Sequence, residues 1–499
     1  MTMKLRNIFG LMVILFTALF VQSCGDDADG QGKEATGLSV LRNGMAIETL
    51  NFNTTAAYQM LGIATDGNWT ASVPDADTTW LKITPHAGYG WNYADSGAVN
   101  TNAYIRVDAM TNSGAERKST ITITAGAFSK VITVTQSGRG SAGNEPIESA
   151  WDMIAKLKMG YNLGNTLESE PSGDWWNPVG KTPADFETSW GQPVTTQAII
   201  DAICDQGFNI IRVPVTWGNH MSADNKIDEA WMKRVEEVVN YVMNRKDVYC
   251  IINVMHDTGT NSWLYADLDA YPEQTKKYQA IWKQIAERFK KYDQRLIFES
   301  FNEILDKNSS WTTPAAGSAA YEAINKLQQD FVNTVRATGG NNEYRNLAVT
   351  TYAATGNSAN ALNALKVPTD KHANHIYGTI HSYDPYNFCN NNAGKNADGS
   401  TFDYNITTFN DDCKAEIDRI FAQVNARFAD LGIPYIYGEF GAIDENKNMD
   451  ERVKYATYVA QKMKSYNTTG LWWMGLYKRD TKEWYEQRIV NALKTGFGL

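Results

Sequence analysis

The spacing of hydrophobic and polar positions divides this 499-residue chain into two regions of different character. In the first region, residues 36–138, short stretches alternate apolar with polar residues and are separated by turn-forming residues. Alternation with a period of two is typical of strands that bury one face. The region therefore predicts a small, all-β, immunoglobulin-like sandwich. Its candidate strands are 49–52, 69–73, 103–107, 119–124 and 130–135.

In the second region, residues 147–499, short continuous apolar runs alternate with longer amphipathic segments. One such segment, 196–205, is followed by Gly207, a residue that favours the end of a helix. Eight repeats of strand and helix predict an α/β fold, the (β/α)8 TIM barrel. A doubly wound open sheet is the alternative, but no glycine-rich phosphate-binding motif follows any run. The predicted strands are 160–164, 209–215, 248–254, 295–300, 347–351, 375–380, 434–437 and 470–474.

The beginning of the chain has the pattern of a secretory signal. Basic residues precede an apolar run at 8–21, and small residues follow it. Because the apolar run and the small residues after it are followed by Cys24, the segment resembles the lipobox of bacterial lipoproteins. In a lipobox the signal peptide is cleaved before the cysteine, which becomes the lipidated N-terminus. We predict a signal peptide at 1–23 and a flexible tether at 24–35. A linker rich in glycine is predicted at 139–146.

Composition narrows the class of partner. The formal net charge is −10 and there are no basic runs, which argues against nucleic acid. The 15 tryptophans and 25 tyrosines suit a protein that stacks aromatic rings on sugars. Cys204 and Cys250 fall in apolar patterns and are predicted to be core residues. Cys389 and Cys413 flank a polar loop and could pair in an oxidising compartment; the sequence leaves this open.

Two glutamates lie where barrel strands end. Glu303 follows the run 295–300, and Glu439 follows the run 434–437. Side chains at the carboxyl ends of barrel strands point into the catalytic cleft. Two carboxylates on opposite sides of a cleft are what glycosidic-bond cleavage requires, since one protonates the leaving oxygen and the other attacks C1. The pair predicts a glycoside hydrolase.

The remaining strand ends are also polar or aromatic. Arg212 and Tyr383 can donate hydrogen bonds to an ionised carboxylate, and Asn302 can bind the sugar 2-hydroxyl. A tryptophan can form the floor under a sugar ring, although strand alternation lets only one of Trp472 and Trp473 face inward. The candidate support residues are Asn165, Arg212, His256, Asn302, His381, Tyr383, Trp472 and Trp473.

From about residue 147 onward the chain resembles glycoside hydrolase family 5. The motifs that carry the resemblance are Asn-Glu at 302–303, His-Ser-Tyr at 381–383, Gly-Glu-Phe-Gly at 438–441 and Arg-Val-Pro-Val-Thr-Trp at 212–217. The resemblance implies that Glu303 is the acid/base, that His381 tunes it, and that Glu439 is the nucleophile of a retaining mechanism. Retention implies carboxyl groups about 5–5.5 Å apart.

The segments 159–167 and 187–191 narrow this resemblance to subfamily 4, whose members are endo-β-1,4-glucanases and include xyloglucanases. Relatives commonly carry a His-His pair where this chain has Met255-His256, so the role of His256 is open. No cofactor or metal is implied, and no spacing of cysteines and histidines suggests a zinc site.

The motifs at 67–69 and 132–138 resemble the BACON module of Bacteroidetes glycan-active proteins. We expect this module to act as a spacer rather than as a sugar binder, because no array of exposed aromatics is evident. The whole architecture resembles surface xyloglucan endo-glucanases of Bacteroidetes. This implies xyloglucan as substrate and a monomeric outer-membrane lipoprotein exposed at the cell surface and anchored through Cys24.

A branched glucan needs a wide aromatic cleft. The candidate walls are Trp175, Trp176, Trp217, Trp263 and Trp311. The residues leave cellulose, mixed-linkage glucan and xylan open as substrates. A catalytically inactive glycan-binding lipoprotein is a further alternative, against which the intact pair of glutamates speaks. Metal-dependent hydrolysis lacks an evident ligand cluster.

Overall fold

The structure is a computed structural model. It describes residues 21–22, 35–42, 45–52, 57–65, 67–86, 103–110, 112, 116–136, 147–170, 182–390, 406–444 and 449–499. The chain forms two compact units, residues 1–138 and 139–499. Cys24, Trp175 and Trp176 lie outside the described residues.

The first unit is a sandwich of two five-stranded sheets. Buried residues of both sheets, among them Leu50, Leu61, Ile105 and Ile121, form one core. The predicted all-β sandwich is confirmed. Its strands are β1 Val21–Gln22, β2 Ser39–Arg42, β3 Met45–Ala46, β4 Thr49–Phe52, β5 Ala57–Ala64, β6 Trp69–Ser72, β7 Leu81–His86, β8 Ala103–Ala109, β9 Arg117–Ala125 and β10 Phe128–Gln136. The strand orders are β1-β6-β9-β10-β4 and β3-β2-β5-β8-β7. Strand β1 falls within the predicted signal peptide, so the chain that begins at Cys24 would lack it.

The pattern missed strand β5 because a polar residue occupies one of its buried positions. Gln59 is buried and its amide donates to the Asn51 carbonyl at 2.6 Å. The outward position Gly62 has no side chain, so the alternation of polar and apolar residues is lost locally. A buried amide with a backbone partner fits a sheet interior as well as an apolar residue does.

The second unit contains the predicted barrel, which is confirmed. Eight parallel strands close in sequence order around one axis. A two-stranded hairpin, β19 Tyr477–Lys478 and β20 Glu483–Trp484, follows the last of them. The barrel strands are β11 Met159–Asn162, β12 Phe208–Val213, β13 Tyr249–Asn253, β14 Leu296–Glu299, β15 Leu347–Thr355, β16 Ile376–Ser382, β17 Tyr435–Phe440 and β18 Gly470–Trp473.

Helices connect the strands. Helix α3, Gln197–Asp205, ends before Gly207, whose φ of +95° is the left-handed conformation expected of a glycine after a helix. Among the described residues, no helix is both long enough and apolar enough to span a bilayer. The helices are α1 Ala150–Lys156, α2 Pro183–Glu187, α3 Gln197–Asp205, α4 Glu229–Met243, α5 Tyr271–Phe289, α6 Ala319–Ala337, α7 Ala359–Ala364, α8 Tyr386–Cys389, α9 Asp411–Leu431, α10 Met449–Ser465 and α11 Gln487–Phe497.

The barrel interior changes from apolar to polar along the strands. Near the amino ends, Ile210, Ile251, Ile297 and Leu471 pack with helix α1 in one buried cluster. Alternation then brings the residues two positions later to the same interior, and these include charged groups. The strands thus place a packed floor under a polar layer at their carboxyl ends, where barrel active sites lie.

The four cysteines in the described part of the chain are buried, and none of them is in a disulfide. The disulfide between Cys389 and Cys413 that the sequence left open is not formed. Cys389 instead donates to the Asp384 carbonyl at 3.4 Å, and Cys413 lies in the first turn of α9. Cys204 and Cys250 are core residues, as predicted.

Candidate active site

Both carboxylate oxygens of Glu439 are held by hydrogen-bond donors. Arg212 Nη1 donates to Oε1 at 2.7 Å, and the Tyr383 hydroxyl donates to Oε2 at 2.8 Å. The guanidinium and the carboxylate are both buried. A charge-assisted hydrogen bond in such a site favours the ionised carboxylate and fixes its orientation. Glu439 is therefore arranged as an anion aimed into the barrel.

A register shift turns Glu439 inward. Ile436 faces the barrel interior, so strict alternation would point the residue three positions later outward. The register between β16 and β17 slips after Ile380, and His381 pairs with Glu439. The slip requires Gly438, because a Cβ there would lie 2.4 Å from the Thr379 hydroxyl. Such irregularities re-aim side chains next to active sites.

Glu303 lies opposite, just past the end of β14. His381 Nδ1 is 2.8 Å from Glu303 Oε1 and 3.6 Å from Glu439 Oε2. Donor atoms of the three side chains all lie within 4.8 Å of one another. A separation this short fits a retaining glycosidase, since inverting enzymes need room for a water molecule between the carboxyl groups.

His381 lies within reach of both carboxylates of this pair. Burial acts to lower its pKa, but the charges of Glu439 and Glu303 outweigh burial and raise the pKa above the ordinary histidine value. Glu303, His381 and Glu439 are also the side chains that could hold a metal ion in the described part of the chain. Cleavage by a carboxylate pair does not require one.

Asn302 and His256 also reach the site. Asn302 Oδ1 accepts from Arg212 Nη2 at 2.9 Å, which fixes the amide. Burial lowers the pKa of His256 to about 4 against the opposing pull of the Glu439 charge, so the ring is neutral. Its ring centroid lies 5.3 Å from that of Trp190. The neighbouring Met255 Sδ lies 3.8 Å from Arg212 Nη2.

The structure separates the two tryptophans of β18. Trp472 is buried against Phe440 and Tyr455, with edge-on ring contacts of 5.3 and 6.4 Å between centroids. Of the two candidates, Trp472 is therefore the one that faces the helical layer and not the cleft. Trp473 is half-buried, and a Cβ on Gly164 would lie 2.9 Å from its ring. Trp473 is therefore the candidate floor for a sugar ring.

Trp217 was predicted as a cleft wall and is instead a core residue. It is 0% exposed, and its indole N–H donates to the Asn253 carbonyl at 2.8 Å. Asp257 accepts its backbone N–H at 2.8 Å and the Trp263 indole N–H at 2.6 Å. This aspartate ties the turn after β12 to the loop after β13. Of the other tryptophans predicted to line the cleft, Trp263 is half-buried and Trp311 is 57% exposed.

Asn165 follows β11 in a left-handed conformation with φ of +59°. Its backbone N–H donates to the carboxylate of Glu168, which also accepts from the Thr166 N–H at 2.9 Å. Burial raises the pKa of Glu168 to about 7. The backbone of this loop is thus fixed by the Glu168 carboxylate, and a contact between the Asn165 side chain and sugar stays a prediction.

Sequence reasoning missed Glu299. It lies at the end of β14, is fully buried, and accepts from Arg212 Nη2 at 2.7 Å. The available signal was a single acidic residue within an otherwise apolar run, Leu-Ile-Phe-Glu. A charge in such a run is expected to have a buried partner.

Comparison with known proteins agrees with this geometry. Residues 176–478 match the model of the cellulase family, glycosyl hydrolase family 5. Residues 68–137 match the BACON model, described as a putative N-terminal binding domain.

Curated relatives are cellulases and endoglucanases. The cellulase/esterase CelE of Acetivibrio thermocellus is 38% identical over 365 residues, which cover 70% of this chain and 41% of that protein. Endoglucanase A of Clostridium longisporum is 34% identical, covering 70% and 66% respectively. Endoglucanase A of Ruminococcus albus is 34% identical, covering 69% and 92%. The chain thus spans less than two thirds of the first two relatives and nearly all of the third.

Solved structures include PbGH5A of Prevotella bryantii B14 bound, as a mutant, to the xyloglucan tetradecasaccharide XXXGXXXG. It is 37% identical with a TM-score of 0.63, covering 70% of this chain and 99% of that one. A broad-specificity endoglucanase of Ruminococcus champanellensis with cellotriose is 39% identical with a TM-score of 0.61, covering 69% and 98%. Since the family model covers more than half of its residues, the chain belongs to glycoside hydrolase family 5, whose members cleave glycosidic bonds with retention of configuration.

Proposed function

We propose that this protein is a subfamily 4 endo-β-1,4-glucanase that cleaves the backbone of xyloglucan. The proposal of xyloglucan as the substrate rests on the similarity to PbGH5A, a mutant of which binds a xyloglucan tetradecasaccharide. The match covers 99% of the PbGH5A chain at 37% identity. The short distance between the two carboxylates supports the mechanism.

In the first step, Glu303 donates its proton to the glycosidic oxygen while Glu439 attacks C1 and forms a covalent glycosyl-enzyme. Arg212 and Tyr383 hold the two Glu439 oxygens at 2.7 and 2.8 Å, so the nucleophile needs no reorientation. In the second step, Glu303 removes a proton from water, which attacks C1 and releases Glu439.

His381 supports the change in charge on Glu303. When Glu303 gives up its proton it becomes an anion 2.8 Å from His381 Nδ1. Because the pKa of His381 is raised by the surrounding carboxylates, the ring can carry a positive charge that stabilises this anion. Trp473 supplies the apolar surface under the sugar, and the neutral His256 offers a hydrogen bond to a hydroxyl.

Unbranched glucans are the second candidate substrates. The Ruminococcus champanellensis relative has broad specificity and binds cellotriose, and a lichenase of Caldicellulosiruptor sp. F32 that is 34% identical binds cellotetraose as a mutant. These relatives share the barrel with PbGH5A. The choice among glucans therefore depends on the walls of the cleft rather than on the carboxylates.

A product time course tests the substrate. Residues 36–499 are incubated with xyloglucan, mixed-linkage glucan and carboxymethyl cellulose, and chain length and products are followed. We expect early loss of chain length on xyloglucan, branched oligosaccharide products, and much slower cleavage of the other two. Equal or faster cleavage of unbranched glucan would keep the mechanism and move the substrate. Inactivity on all three would favour a glycan-binding protein.

We also propose that Cys24 is lipidated and anchors the protein at the outer membrane, exposed to polysaccharide. The basis is the lipobox-like segment that ends at this residue. Replacing Cys24 with alanine is expected to move the protein from the membrane fraction to the soluble fraction. Fractionation with immunodetection measures this, with Cys204→Ala, a buried residue of α3, as the matched control. A C24A variant that stays with membranes would contradict the anchor.

A further inference from the structure

One layer below the two carboxylates, the barrel interior holds a cluster that we call the buried polar layer: Asn162, Arg212, Asn253 and Glu299. All four side chains are fully buried. They come from four consecutive strands, β11 to β14. Burying a charge pair is costly unless every donor and acceptor is satisfied, so the hydrogen bonds of this layer indicate what it does.

All five N–H donors of Arg212 have acceptors. Nε donates to Glu299 Oε1 at 3.1 Å, and Nη2 donates to Glu299 Oε1 at 2.7 Å and to Asn302 Oδ1 at 2.9 Å. Nη1 donates to Asn162 Oδ1 at 3.0 Å and to Glu439 Oε1 at 2.7 Å. A guanidinium has five N–H groups, so this one has a single orientation in which one donor reaches the nucleophile.

The partners of Arg212 are themselves fixed. The Asn162 amide donates to the carbonyls of Gly438 and Leu471, both at 3.0 Å, which forces its oxygen toward Arg212. The Asn253 amide donates to Glu299 Oε1 at 3.0 Å, and its oxygen accepts the Val215 N–H at 3.2 Å. Glu299 is therefore anchored independently of the nucleophile.

The charges show a second consequence. The guanidinium of Arg212 lies between two anions, Glu299 and Glu439, with ion-pair distances of 2.7 Å to each. The other groups that face Glu439 are Glu303, His381, Tyr383 and the neutral His256. Without Glu299, the full charge of Arg212 would act on Glu439, which would make that carboxylate a weaker nucleophile.

Resting on the proposed function, we infer that Glu299 is a positioning residue for the reaction. It fixes Arg212 and shares the guanidinium charge, so that Glu439 is oriented for attack and stays nucleophilic.

The test is Glu299→Gln in the full-length protein. Glutamine keeps the size and one acceptor oxygen but removes the charge. The first readout is the rate at which a 2-deoxy-2-fluoro-cellobioside with a good leaving group labels Glu439 covalently. The second is the pH dependence of kcat/KM on soluble glucan. We expect labelling to slow roughly tenfold to a hundredfold, as for loss of one preorganised electrostatic group.

The direction of the pH shift follows from the charges. With residue 299 neutral, the whole positive charge of Arg212 acts on the Glu439 carboxylate 2.7 Å away and favours its charged form. The acid limb of the kcat/KM profile is therefore expected to move to lower pH, by on the order of one unit. A merely structural role would lower activity without moving this limb in that direction.

The matched control is Glu187→Gln. Glu187 is also fully buried and accepts from Arg234 at 2.8 and 3.0 Å, but it lies on α2 outside the barrel interior. We expect normal labelling and an unmoved acid limb. Asn253→Ala is the second variant, since it loosens Glu299 and keeps both charges; labelling should slow a few-fold with no shift of the limb.

Wild-type labelling and an unmoved acid limb in a folded E299Q variant would overturn the inference. If E299Q does not fold by circular dichroism, unchanged labelling of N253A would overturn it. The wild-type protein tests the proposed function separately. If it is neither labelled at Glu439 nor active on glucan, the proposed function fails. If it is labelled and active, the variants test only the role of Glu299.

Discussion

Replacing Glu439 with alanine is expected to lower kcat on glucan by roughly 10⁴- to 10⁶-fold, the scale of losing a covalent nucleophile. Oligosaccharide affinity should change little, because Trp473, His256 and Asn302 remain. The loss also leaves Arg212 Nη1 and the Tyr383 hydroxyl without the carboxylate that they bind. Residual turnover is measured by reducing-end release, and affinity by calorimetry with a cello-oligosaccharide.

Added azide makes the prediction specific. The alanine variant leaves a cavity the size of a carboxylate on the face of C1 that Glu439 attacks. A small anion that enters it can displace an activated leaving group once, giving a glycosyl azide of inverted, α configuration. Proton NMR of the product identifies the anomer. Turnover above about one per cent of wild type, or a β product, would contradict the role of Glu439.

The control for this variant is Glu148→Ala, at the opposite end of the barrel. Glu148 also accepts a hydrogen bond from a tyrosine, Tyr249, at 2.6 Å. Side chains at the amino ends of barrel strands serve stability rather than catalysis. We therefore expect kcat within a factor of about two of the wild type and a lower melting temperature.

The barrel could be predicted because parallel strands buried on both faces are continuous apolar runs. The residues at which the strands end were harder to predict from the sequence. The run at 347–351 continues as β15 to Thr355, where the register with β16 shifts. Ala353 and Ala354 have φ of +52° and +50° there. Nothing in an alanine signals a left-handed backbone, so this irregular strand end could not be read from the residues.

The sequence predicted which residues form the site better than it predicted which way their side chains point. Residues at strand ends converge in any barrel, which brought Arg212, His381 and Tyr383 to the paired glutamates. Which side chain faces inward depends on register. The slip at Gly438 sets this for Glu439, and the packing on Phe440 sets it for Trp472.

Burial was the other limit on the sequence reading. Trp217 is predicted to be a cleft wall, but it is buried, because Asp257 accepts hydrogen bonds from the Trp217 and Gly218 backbone and holds the turn after β12 inside the protein. Glu299 looked like a strand residue because the run around it is apolar. In both cases burial depends on a polar partner that is distant in sequence, Asp257 for Trp217 and Arg212 for Glu299. Such pairs cannot be identified before the folded structure is known.

Replacing Glu303 with alanine is expected to separate the two steps of the reaction. On glucan, kcat should fall roughly 10²- to 10⁴-fold, the usual contribution of a general acid. A dinitrophenyl cellobioside needs no protonation of its leaving group, so the first step stays fast. The second step lacks its base, and the glycosyl-enzyme accumulates. Stopped-flow release of dinitrophenolate should show a burst equal to the enzyme concentration, followed by slow turnover.

Azide distinguishes this variant from Glu439→Ala on the same substrate. In Glu303→Ala the anion attacks the glycosyl-enzyme on the face opposite Glu439, and two inversions give a β-glycosyl azide with faster turnover. An α product from one variant and a β product from the other would assign both roles from stereochemistry alone. The same anomer from both would contradict a two-step mechanism. The reverse pattern would exchange the roles of Glu303 and Glu439, leaving Arg212 and Tyr383 bound to the acid instead of the nucleophile.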